Sequence, residues 1–180
     1  MKRIIGVAAI AVLCGPAVAQ QHQPYAGLQT REIKTLSEQQ IADLKAGRGM
    51  GLALAAELNG YPGPVHAIEL ADRIGLSSAQ VGKLKALFES MKAETVPLGA
   101  TLIAEERALN DAFAQRTITP ASLEATTRQI GATQASLRAA HLKYHLATVA
   151  ILTPDQVNRY NELRGYAGAA AVPQRHERHH

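Results

Sequence analysis

Three copies of one pattern, Leu-[Ser/Thr]-x-x-Gln, set where helices begin in this chain. They are Leu36-Ser37-Glu38-Gln39-Gln40, Leu76-Ser77-Ser78-Ala79-Gln80 and Leu152-Thr153-Pro154-Asp155-Gln156. In each copy the hydroxyl can accept from the first free N–H groups of a helix. The Gln three residues on can reach back to the cap residue's own N–H, completing a capping box. Pro154 stands at the first helical position, where its missing N–H costs nothing. The preceding Leu is placed to staple the entry. The pattern is a statement about helix starts and carries no chemistry of its own.

Between the second and third copies lie two long apolar stripes. From Ser78 to about Ala114 the stripe is Val81, Leu84, Phe88, Met91, Leu98, Leu102, Leu109 and Ala112, at helical spacing. Pro97 interrupts it and predicts a kink near residues 93–97. Thr119-Pro120 opens a second long helix with the stripe Leu123, Ile130, Leu137, Tyr144 and Ile151, each seven apart. A seven-residue repeat packs as a left-handed pair, and the short link at 116–119 forces the two helices antiparallel. Shorter helices are expected from Ser37 to Ala46, within Gly51–Leu58, from Pro64 to Ile74 closed by Gly75, and from Pro154 to Gly165. No alternating strand pattern is present, so the fold class is all-α: a bent antiparallel helical hairpin with short flanking helices.

The N-terminus reads as an export signal. Lys2 and Arg3 precede the apolar run Ile4–Leu13, which is too short to span a membrane, and Ala17-Val18-Ala19 is a small-x-small cleavage site. Cleavage there divides the chain into a signal (1–19), a flexible arm (20–35), a helical domain (36–166) and a disordered tail (167–180). It also removes Cys14, the only cysteine, so the stability of the exported protein rests on packing rather than disulfides. A Sec-type signal implies the periplasm. No second long apolar run follows, so no membrane span is expected after cleavage. The net charge of +4, half of it from Lys2 and Arg3, is too mild to call for nucleic acid. The absence of Trp and an aromatic content of 4% argue against stacking platforms for bases.

A signal peptide, an all-helical body and capping pentapeptides flanking a long hairpin together resemble the Spy/CpxP family of periplasmic proteins, named for its LTxxQ motif and related to periplasmic heavy-metal sensors. The resemblance covers about Ala71 to Tyr166. Leu152, Thr153 and Gln156 match the motif in full; Leu76, Ser77 and Gln80 match with Ser for Thr; the copy at Leu36 lies outside the usual two. The resemblance implies a cradle-shaped homodimer that binds unfolded or partly folded periplasmic clients on its concave face without ATP, as a stress-response chaperone or a modulator of an envelope stress sensor. Arg128, Arg138 and Lys143 on the second long helix are the candidate client contacts. The bland reading of these cations is the solvated face of an amphipathic helix.

The alternative function is a heavy-metal sensor or metal-binding protein for zinc, nickel or copper. His141 and His145, at i and i+4, share one helix face and can reach one ion. A third ligand must come from elsewhere, with His66, Glu105 and Glu106 as candidates. The competing reading is a His packed into the hairpin seam beside Leu137 and Tyr144. His176, His179 and His180 in the tail, with His22, form a second candidate, against a plain basic tail. Tyr61-Pro62-Gly63-Pro64 reads as a rigid turn, with Gly63 supplying an unusual backbone conformation. No enzyme is expected, because no nucleophile elbow, His-Glu-x-x-His pair, phosphate loop or dinucleotide fingerprint is present. No cofactor is required, a bound zinc or other divalent ion excepted.

Overall fold

The structure, a computed structural model, describes residues 25–166. The expected signal peptide and tail lie outside the described residues. The chain divides into two units, Met1–Thr30 and Arg31–His180. Of the first, residues 25–30 form a turn and a 3-10 turn at Leu28–Thr30, in which the Thr30 hydroxyl donates to the Gly27 carbonyl at 2.8 Å.

The second unit is helical throughout, with no strand among the described residues. Its helices are α1 (Glu38–Lys45), α2 (Leu54–Glu57), α3 (Pro64–Glu69), α4 (Ala71–Ile74), α5 (Ser78–Ala114), α6 (Pro120–Val149) and α7 (Pro154–Leu163). α5 and α6, at 37 and 30 residues, make a bent antiparallel pair about 55 and 45 Å long. Pro97 lies inside α5 without ending it. Its missing N–H leaves the Ala93 carbonyl without a helical donor, the usual origin of a bend. Thr119 caps α6 through Ser122.

All three Leu-[Ser/Thr]-x-x-Gln copies form complete capping boxes, at the starts of α1, α5 and α7. Two of them also grip each other. The Gln80 amide nitrogen donates to Gln156 Oε1 at 2.8 Å, and the Gln156 nitrogen returns to Gln80 Oε1 at 3.2 Å. The same two nitrogens reach the Ile151 and Gly75 carbonyls, each at 2.9 Å. Each amide thus caps its own helix and ties the base of the hairpin to the other capped end. The copy at Leu36 takes no part in this pairing.

The core falls into two clusters. One gathers Ile33, Leu44, Leu102, Ile103, Ile130 and Leu137; the other gathers Ala67, Leu84, Leu152 and Val157. The expected seam holds at Ile130 and Leu137, with Ile151 packed on the second cluster, and fails at Leu123 and Tyr144. Leu123 is exposed, and Tyr144 is half-buried with its hydroxyl donating to Glu94 at 3.1 Å. A straight helix drifts off a seven-residue repeat by about 20° per heptad, so the buried line moves onto Thr133, Ala140, His141, His145 and Thr148.

Three further departures have local causes. The single helix expected over Pro64–Ile74 breaks at Leu70, whose N–H tightens to the Ala67 carbonyl and whose φ and ψ, −105° and 14°, leave the helical region. The expected arm ends earlier than residue 35: Ile33 is fully buried, and the Thr35 hydroxyl donates to Glu106 at 2.7 Å. Gly63 is extended, with φ −78°, so its backbone is ordinary and its role lies elsewhere.

α1 seats directly on α5 through two glycines. Gly47 ends α1 in the left-handed region at φ +66°, and a Cβ there would lie 2.7 Å from Thr95 Oγ1. On α5, a Cβ at Gly99 would collide with the Leu44 carbonyl oxygen. Gly99→Ala should therefore push α1 away and cost about 1–3 kcal/mol in urea unfolding. Gln80→Ala and Gln156→Ala should each destabilise the fold. Because they share one interaction, the double variant should cost less than the sum by about 0.5–1.5 kcal/mol; additive costs would show that the amide pair contributes nothing.

Candidate functional site

A cavity of about 560 Å³ opens between the two core clusters. Along α5 it falls between Leu84 and Leu98, at Phe88 and Met91; along α6 it follows Leu137, at His141 and His145. The loop 46–50, α2 and α3 supply the rest of its wall, including Gly49, Met50, Leu54, Gly63 and His66. Arg48, Arg164 and Tyr166 also border it.

Both histidines of the i, i+4 pair are buried there. His141 is 2% exposed, and its Nε2 has no hydrogen-bond partner. Burial holds the His141 imidazole below its ordinary pKa, and the neighbouring His145 adds to this. His145 Nδ1 lies 2.6 Å from the Tyr61 carbonyl. A carbonyl only accepts, so Nδ1 carries a proton, and in the neutral form of the ring the lone pair sits on Nε2. Each ring packs on a glycine: a Cβ at Gly63 would stand 3.0 Å from His145 Cε1, and one at Gly49 would stand 3.2 Å from His141 Nδ1. Gly63 thus serves by lacking a side chain, not by its backbone angles.

Beside His145 lies a buried carboxylate, Glu57, which the sequence reading missed. Its Oε2 accepts from the Gly63 N–H at 3.1 Å, and its Oε1 accepts from the Tyr160 hydroxyl. His66 Nδ1 and the Arg164 guanidinium stand 3.4 and 3.7 Å from Oε1, and His145 Nδ1 stands 3.7 Å from Oε2. Burial pushes the Glu57 carboxyl up. Its contacts with His66, Tyr160 and the Gly63 amide pull it down further, so it ends below its ordinary value. Burial and then Glu57 push the Tyr160 hydroxyl up. A lone Glu in a short apolar stretch gives no signal of this role.

The other candidates separate. His66 borders the cavity but faces Glu57. Glu105 and Glu106 lie elsewhere: Glu105 accepts from the Thr133 hydroxyl at 3.0 Å and Glu106 from Thr35, so neither supplies a third ligand to the pair. Among the described residues no group of three His, Cys, Asp or Glu side chains is placed to hold a metal ion. Lys143 is held by Glu94 at 2.7 Å and Arg128 by Glu124, while Arg138 is exposed. His176, His179 and His180 lie outside the described residues.

The His141 environment carries a pH dependence. Its folded pKa lies below the unfolded value of about 6.5, so below that pH the unfolded chain binds the proton more readily and stability falls. The Glu57 contribution is lost only lower, as pH falls past about 4.5. Stability measured by urea unfolding without metal should drop between pH 7 and 5, and His141→Gln should flatten that limb. An unchanged slope would show that His141 is not held neutral.

No curated protein and no solved structure matches this chain. The family model described as heavy-metal resistance matches residues 47–159, from the glycine that ends α1 into α7, and so spans the hairpin and all of the cavity wall except Ala46, Arg164 and Tyr166. The chain therefore belongs to the heavy-metal-resistance family.

Proposed function

We propose that this protein is a periplasmic metal-binding sensor or buffer that takes a transition-metal ion through His141 and His145. The observation that carries the reading is the unpartnered Nε2 of a fully enclosed, neutral His141 in the same cavity as His145. A metal ligand must present a lone pair rather than a proton. His145 is arranged for this, since its Nδ1–H is spent on the Tyr61 carbonyl, the kind of outer contact that orients a ligating imidazole. The Glu57 carboxylate stands 3.7 Å from the same Nδ1 and favours the proton on that nitrogen by its charge alone. Family membership supports the same reading, and the signal-like pattern of the N-terminal sequence supports export.

Titration calorimetry with zinc, nickel and copper tests it, on full-length protein with the tail histidines replaced by alanine. One ion should bind per chain and raise Tm, and the His141→Ala/His145→Ala variant should lose both effects. Heat unchanged by the double substitution would refute the assignment.

A second reading places the chain close to Spy/CpxP proteins, as a dimeric cradle that binds unfolded clients without ATP. It is favoured by apolar side chains left in solvent on α6, Leu146 at 61% exposure and Leu123 at 37%, on the helix that also carries exposed Arg128 and Arg138. Light scattering of an aggregating client, with chelator and without nucleotide, separates the two. Suppression should weaken with Leu146→Glu, while metal binding should not.

A further inference from the structure

The two imidazoles need companions, and the carboxylates do not supply them. Glu57 has both oxygens engaged, Glu105 and Glu106 bond threonines away from the cavity, and among the described residues neither His66 nor Glu69, which also border the cavity, completes a group of three with the pair. Two thioethers do border the same cavity: Met91, buried on α5, and Met50, in the loop that packs on His141 through Gly49. We propose that His141, His145, Met91 and Met50 form a site for a soft monovalent ion, Cu(I) or Ag(I), a refinement that rests on the metal-binding reading above.

Two independent features argue for this site. The donor set is neutral, two imidazoles and two thioethers, and soft thioethers select Cu(I)-type ions over zinc or nickel.

The second feature is the backbone at Met50. Its φ is +46°, in the left-handed region that suits glycine, although glycines occupy both neighbouring positions. A side chain kept where glycine would sit with less strain is a mark of a functional position. This arrangement also offers a clean separation of roles. Met50→Gly relieves the backbone and removes the thioether, so stability and metal affinity should move in opposite directions.

The test uses the full chain carrying Cys14→Ser, His22→Ala, His176→Ala, His179→Ala and His180→Ala, which removes competing soft and imidazole ligands. Silver nitrate in chloride-free buffer, and Cu(I) delivered from a bicinchoninate complex, serve as probes beside zinc and nickel sulfates. One Ag(I) or Cu(I) should bind per chain, more tightly than zinc. Met91→Leu and Met50→Gly should each weaken Ag(I) at least tenfold, with Tm of the metal-free Met50→Gly protein equal to or above the parent's. Zinc affinity should be unchanged in both. If zinc or nickel binds through His141 and His145 and the methionine variants leave Ag(I) unaffected, the soft-ion site is overturned while the metal-binding reading stands. If no metal binds at this cavity, both are overturned.

Discussion

A carboxylate buried in a protein this small is costly by several kcal/mol unless its surroundings compensate it, and the arrangement of the lower hairpin follows from how Glu57 is compensated. Its two oxygens collect a backbone N–H from the α2–α3 turn and a hydroxyl from α7, with the His66 ring and the Arg164 guanidinium beside them. Satisfying it fixes the turn 61–63, and that turn in turn supplies the carbonyl that orients His145. α3 is anchored in the lower apolar cluster through Ala67, with Ile68 packed beside it. The position of the α2–α3 turn relative to the imidazole pair is set by this polar node and by the close fit of Gly63 against the ring.

The hairpin core is continuous on either side of this region and absent within it. Above, Leu102, Ile103, Ile130 and Leu137 close one cluster; below, Leu84, Leu152 and Val157 close the other. Between them the chain places two histidines where a seam would otherwise take Leu or Ile, and leaves space. Filling that space with aliphatic side chains would be the cheaper way to stabilise a helical pair. Stability given up at one level of an otherwise packed hairpin is the physical sign that the level is used for something other than folding.

Much of this architecture was legible in the residues. Capping chemistry is local, so Ser37, Ser77, Thr119 and Thr153 announced their helices, and α5 and α6 begin where those caps stand. The i, i+4 spacing put His141 and His145 together for the same reason. What escaped was long-range. Nothing local distinguishes Glu57 from a surface carboxylate, since its partners are Gly63, Tyr160 and Arg164 from later in the chain. Glu105 and Glu106 looked available and lie away from the cavity, where each bonds a threonine, one of these in the supposed arm. Leu123 was assigned to the seam by a repeat that a helix of this length does not keep. Met91 read as a core residue and Met50 carried no reading at all, and only the folded hairpin brings them to the same wall.

The reciprocal amide grip between Gln80 and Gln156 couples the accessibility of the cavity to the detachment of the last helix. α7 carries Gln156 at its start and Tyr160 one turn later. Lifting it breaks both side-chain amides away from their partners and strips Glu57 of its hydroxyl donor in the same motion. Such a segment does not fray residue by residue; it opens as one cooperative unit. The exchange protection of α7 amides and the rate at which the cavity wall is breached from that side are then governed by one local equilibrium.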